Sequence, residues 1–211
     1  MNSSFQFSDK QISQLEEIFQ NCADNASDAM VRWLGSSSLM TIESIDQAPL
    51  EDVQVMLGAA DEPICCCSIN MTGSLNGWLI LAFRDTSGLA LSDLVLNNPL
   101  GTAIRWHELE QSVALESTNI IGCAFLNSLA KHLPPLKGQP SELIPSPPLF
   151  ARDYAGCLLE SVFMKQAQTA NELFVSESRI ELRGESLNWN LLFVPDSNAI
   201  VSLQELLTSL A

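Results

Sequence analysis

ELEQSVALESTNIIGCAFLNSLAKHL, residues 108–133, is the stretch from which the fold of this chain can be read. At about 100° per residue, Ser112, Glu116 and Asn119 fall in one narrow stripe of a helix. Ala114, Ile121, Ala124, Phe125 and Leu129 lie around the other side. A helix that buries the second set must show the first to solvent or to a partner. An exposed carboxylate one turn from an exposed carboxamide can hold an ion pair and aim a water.

Much the same stripe occurs near the N-terminus. QISQLEEIFQNCADNASDAMVRWL, residues 11–34, sets Ser13, Glu17 and Gln20 at the same spacing. Leu15, Ile18, Phe19, Cys22, Ala26, Ala29, Met30 and Trp33 form the opposite face. The chain reads as two copies of one unit, about 1–97 and 98–211, each opening with a long amphipathic helix. Neither copy buries much core alone, so one pseudo-two-fold domain spanning 1–211 is expected.

The composition limits the function classes. Apolar residues make up 46% of the 211 positions and charged residues 17%, as in folded globular chains. The formal net charge is -15. So acidic a surface repels phosphate backbones and anionic lipid, which argues against nucleic-acid or membrane binding. The start, MNSSFQFSDK, lacks a signal-peptide pattern, and the sequence reads without an apolar run of the roughly 20 residues that span a bilayer. A soluble, cytoplasmic protein is expected. The six cysteines, Cys22, Cys65, Cys66, Cys67, Cys123 and Cys157, match no paired metal spacing. They read first as small buried hydrophobes in a reducing compartment, ahead of a zinc or redox role.

Further signals order the elements. Ser8 and Gln11 predict a capping box, Phe7 a staple onto Ile12, and Gly35 a helix stop. LMTIESI reads as a strand and PLEDVQVML as a helical turn. PICCCSINMTG and SLNGWLILAF form a hairpin, and SGLALSDLVL a short helix. NNPLG marks the join between the copies. The second long helix must stop at Pro134-Pro135. A Pro-rich link, LKGQPSELIPSPPLF, leads into a strand. A helix near DYAGCLLESVFMKQA, a hairpin of ELFVSESRIELRG with SLNWNLLFVPD, and a helix over SNAIVSLQELLTSL complete the second copy. Ser74-Leu75-Asn76 matches Ser186-Leu187-Asn188. The fold class is α+β, with an antiparallel sheet covered by helices.

The residues resemble the CheC/CheX/FliY phosphatases of bacterial chemotaxis. The likeness rests on Ser/Asp-x3-Glu-x2-Asn in a long helix, on a later Pro-Ser-x-Pro strand, and on the duplication. The matching stretches are SVALESTNIIGCAFLNSLAKHL and PSPPLFARDYAGCLL. The resemblance implies a CheC-like fold with two long helices exposing active faces. It implies a phosphatase acting on the aspartyl phosphate of a CheY-like response regulator. Glu116 and Asn119 match the motif fully and would be catalytic, and Ser112 matches its leading position and would contact the partner. The first copy departs from the pattern. Ser13 and Glu17 match, but Gln20 stands for Asn and Glu43 for the expected proline, which makes Glu17 and Gln20 a degenerate second site. The interval from Asn119 to Pro145 or Pro148 is also longer than the family pattern.

The expected chemistry asks little of the phosphatase. An acyl phosphate is labile, and the receiver supplies its own Mg²⁺ and lysine, so no cofactor of this chain's own is expected. What remains is to place a water in line with phosphorus. A carboxamide suits this, because its oxygen accepts from water and its NH₂ donates to a phosphoryl oxygen. Glu116 would approach the receiver's lysine. A non-catalytic module that docks a receiver or a CheD-like partner is the alternative, and a flagellar-switch component a weaker one. A homodimer, as some relatives form, is left open.

Overall fold

Ser8 starts the first helix as its side chain requires. Its hydroxyl accepts from the Gln11 N–H, and Gln11 reaches back to the Ser8 N–H at 3.0 Å. Helix α1 then runs Asp9–Leu34 and closes on Gly35 in the left-handed region, at φ 63°. The computed structural model describes residues 7–49, 52–53, 57, 62–135, 140–158 and 172–209. The remaining elements are β1 (Ser38–Pro49), β2 (Pro63–Gly73), β3 (Gly77–Arg84), α2 (Asp85–Leu96), α3 (Glu108–His132), β4 (Leu143–Pro145), β5 (Leu149–Tyr154), β6 (Glu172–Leu182), β7 (Glu185–Pro195) and α4 (Ser197–Ser209). Of the expected turn at PLEDVQVML only 52–53 and 57 are described, and these are helical. Of DYAGCLLESVFMKQA, 153–154 belong to β5 and 155–158 are helical; the remainder lies outside the described residues.

The strands form one antiparallel sheet in the order β1-β6-β7-β3-β2-β4, with β5 also on β2. Strands from the two ends of the chain interleave. β1 lies on β6, while β4 and β5 lie on β2. The β2–β3 and β6–β7 hairpins meet at the centre, where Ile80 faces Leu192. Ser74 to Asn76 lie in the turn before β3, whereas Ser186 to Asn188 are already in β7, so that sequence match holds only in part as conformation.

Strand alternation gives the sheet two apolar faces. Cys65, Cys67, Leu79, Leu81, Leu191 and Phe193 pack under the helices, while Cys66, Ile80, Ala82 and Leu192 face the other side with Val53, Leu57, Ala155 and Leu158. Cys22, Cys65, Cys66 and Cys67 are buried, and burial pushes the Cys66 and Cys67 thiols up to about 12. Among the described residues no cluster suits a metal ion. The long helices meet the sheet through Phe19, which sits edge-on to Phe125 at 5.1 Å and to Phe193 at 5.5 Å. Gly122 lets α3 lie close, since a methyl group there would overlap the Ile69 side chain. By length and composition α3 could cross a bilayer, contrary to the sequence expectation, but most of its apolar stretch is buried against this core. Trp33, placed on the apolar face by periodicity, is exposed in the last turn of α1. Phe7 packs edge-on against Phe174 at 5.0 Å.

Two aspartates tie the joint between α2 and α3. Asp93 is buried and accepts from the N–H groups of Gly101, Thr102 and Ala103 at 2.8–3.0 Å. Asp85, at the start of α2, holds Arg152 of β5 in a forked pair with contacts of 2.6–3.2 Å. It also accepts from the Trp106 indole at 2.9 Å. The Arg152 guanidinium, helped by Trp106 and Cys65 and opposed by partial burial, holds the Asp85 carboxyl below its ordinary range. A lowered carboxylate stabilises the fold above its unfolded value, about 4, and the effect fades as pH falls through the folded value. Asp85→Asn is therefore expected to cost at most about 1 kcal/mol at pH 7, the pair being partly solvated. In thermal melts of both proteins from pH 7 to pH 3, the gap in Tm should close toward the acid end.

Candidate functional site

The helix that begins at Glu108 has the cap that places its stripe. The His107 backbone N–H donates to Glu110 at 2.9 Å, completing a capping box at the position matching Ser8. Ser112 and Glu116 are exposed and Asn119 is half-buried, so the stripe faces outward along the helix. Among the described residues Glu116 has no ion pair or hydrogen bond. Asn119 has one weak contact, its Oδ1 accepting from the Cys123 thiol at 3.6 Å. Burial and the Glu116 carboxylate both raise the Cys123 thiol, which therefore stays protonated and neutral beside the amide. The Asn119 NH₂ is left without a partner among the described residues.

The first helix presents the same stripe in a different condition. Ser13 and Glu17 are exposed and Gln20 is half-buried. The Gln20 carboxamide is engaged at both ends, however. Its oxygen accepts from the Ile42 N–H at 3.0 Å, and its NH₂ donates to Asp24 at 2.8 Å. Glu16 accepts from the Ile45 N–H at 3.3 Å, and the Ser27 hydroxyl accepts from the Met40 N–H at 2.7 Å. Three side chains of α1 thus cover N–H groups along β1, an outer strand of the sheet. Periodicity alone could not distinguish this edge-covering job from a solvent-facing one. The signal was available as Glu16, Gln20 and Ser27 standing where α3 has Leu115, Asn119 and Leu126.

The ladders correct one correspondence. From Ile80 and Leu192 outward, Met71 corresponds to Ser178, and their outer partners are Pro145 and Ile42. Ile42, not Glu43, therefore occupies the place of Pro145. Glu43 sits at an irregularity of β1 and pairs with Arg179 at 2.7 Å. In the second half the strand breaks after Pro145, where the Ser146 N–H donates to the Asn70 carbonyl at 2.8 Å and its hydroxyl accepts from the Asn70 N–H at 3.0 Å.

This architecture matches solved structures. FliY from Thermotoga maritima superposes with a TM-score of 0.75 at 15% identity, covering 97% of this chain and 99% of that one. The chain shares its fold with FliY. The FliM middle domain from H. pylori gives a TM-score of 0.67 at 12% identity, covering 96% and 99%. FliM in the FliG–FliM complex from H. pylori gives 0.62 at 13%, covering 96% and 100%. No family model matches the sequence, and no curated protein matches it in sequence. The likeness is thus one of architecture, in keeping with the resemblance carried by the motif.

The two amides should respond differently to truncation. Gln20→Ala strands the Ile42 N–H in a half-buried site and is expected to cost about 1 kcal/mol or more, some 2–4 °C in Tm. Asn119→Ala should stay within about 0.5 kcal/mol of the parent protein, because its contacts are few. Thermal denaturation of both variants checks the contrast; equal losses would contradict it.

Proposed function

We propose that this protein speeds hydrolysis of the aspartyl phosphate of a CheY-like receiver, with Asn119 orienting the attacking water. The observation that carries the proposal is a carboxamide NH₂ one turn from a carboxylate on an outward helix face, neither with a partner among the described residues. The fold shared with FliY, and the family resemblance of the same stretch, support it. The Asn119 oxygen would exchange its weak thiol contact for a water, and its NH₂ would donate to a phosphoryl oxygen. Water oxygen bonds to phosphorus, the phosphorus–aspartate bond breaks, and the water's proton leaves with the orthophosphate. The phosphoryl charge is met by the receiver's own Mg²⁺ and lysine. Glu116 would meet that lysine, because a carboxylate brought toward a phosphoryl group without a cation between them is repelled. Ser112 would line the contact. Such a substrate places the action in the cytoplasm.

Gln20 supports a single working site. Its oxygen is committed to Ile42, so Gln20 would act in the fold and not in turnover, leaving the exposed Ser13 and Glu17 without a working amide beside them. A second reading, a docking module without hydrolysis, is favoured by the likeness to FliM, a protein solved in complex with FliG. Its partner would be a receiver or a CheD-like protein.

Mixing the purified protein with a phosphorylated receiver should shorten the life of the phosphate. Asn119→Ala should remove the acceleration, by about 10²-fold if the water is misplaced by an ångström. Gln20→Ala should keep most of it at a temperature where the variant is folded. Saturable binding with an unchanged phosphate lifetime would favour the docking module instead.

A further inference from the structure

An antiparallel edge strand turns alternate N–H groups away from the sheet. Ile42 is such a residue, and its outward N–H is the one that holds Gln20. Pro145 takes the corresponding place on β4, opposite Met71. The neighbouring Ser146 N–H donates inward to the Asn70 carbonyl, so position 145 is one whose nitrogen faces outward. Proline carries no hydrogen there. The amide partners four residues on also differ. Asp24 accepts from the Gln20 NH₂, whereas Cys123, in the matching place, can only offer its thiol to the Asn119 oxygen.

We infer that Pro145 is a positioning residue, which keeps the Asn119 carboxamide free by withholding the strand N–H that captures Gln20 in the first half. The inference rests on the proposed role of Asn119, and it explains why only one of two like helices would be competent. Any non-proline residue at 145 would offer Asn119 a fixed donor, and its oxygen would be drawn to the strand and away from a water. Cys123 serves the same end, since a thiol is a poor competitor for that oxygen.

Amide hydrogen exchange followed by NMR tests this apart from turnover. In Pro145→Ala the new amide at 145 should exchange slowly, and the double variant Pro145→Ala/Asn119→Ala should lose that protection. In the parent protein the Ile42 amide should be protected, and Gln20→Ala should release it. Phosphatase turnover of Pro145→Ala should fall about tenfold or more. An amide at 145 that exchanges freely, or is protected with or without Asn119, overturns the inference, as does undiminished turnover. A parent protein inactive on every receiver would sink the phosphatase assignment, while the exchange data would still judge the device. If Pro145→Ala does not fold, the Ile42 comparison decides, and an Ile42 amide indifferent to Gln20 overturns the inference.

Discussion

Backbone N–H groups on the outer strand of a sheet need acceptors, and α1 supplies three of them. Glu16, Gln20 and Ser27 run along β1 and take the Ile45, Ile42 and Met40 hydrogens. This contact sets how close the first helix lies to the sheet and which residues of its polar stripe remain available. An unsatisfied N–H in a half-buried place costs more than a surface side chain gains by pointing at solvent. The first helix is therefore held to its strand by the same kind of groups that stand on the outward face of the second.

The second helix is positioned by other means. Gly122 permits close approach to Ile69, and the Phe19–Phe125 contact joins the helices above β7. The segment leading into it is fixed by Asp93 and by the Asp85–Arg152–Trp106 cluster. With packing and the linker doing this work, no polar side chain on the outward stripe is needed as a tie. Glu116 and Asn119 keep the outward face of α3 with few contacts among the described residues. The two matching helices differ in what lies beside them, since β1 offers N–H groups that α1 covers while β4 ends on a proline.

The electrostatics suit a protein partner better than a free anion. A net charge of -15 repels phosphate at long range, so a phosphoryl group would have to arrive with its own cations. Under the proposed function a receiver would bring a lysine and a metal ion with it, and Glu116 is of the sign to meet them. Burial holds Cys22, Cys66 and Cys67 as neutral thiols far above physiological pH, where they pack as small apolar side chains.

Helix and strand periodicity, the Ser8 cap, the Gly35 stop and the Pro134-Pro135 break were legible in the amino-acid order, because each acts within a few residues of itself. The outward stripe of Ser112, Glu116 and Asn119 was legible for the same reason. What Gln20 does was not, since its partner Ile42 lies twenty-two residues away and is met only when α1 lies beside β1. The counterpart of Pro145 was likewise hidden: counting along the chain pointed to Glu43, and only the ladder register, with its irregularity after Ile42, identifies Ile42. Local order specifies which face a helix offers, but whether a polar group on that face is free depends on the neighbours that tertiary packing brings to it.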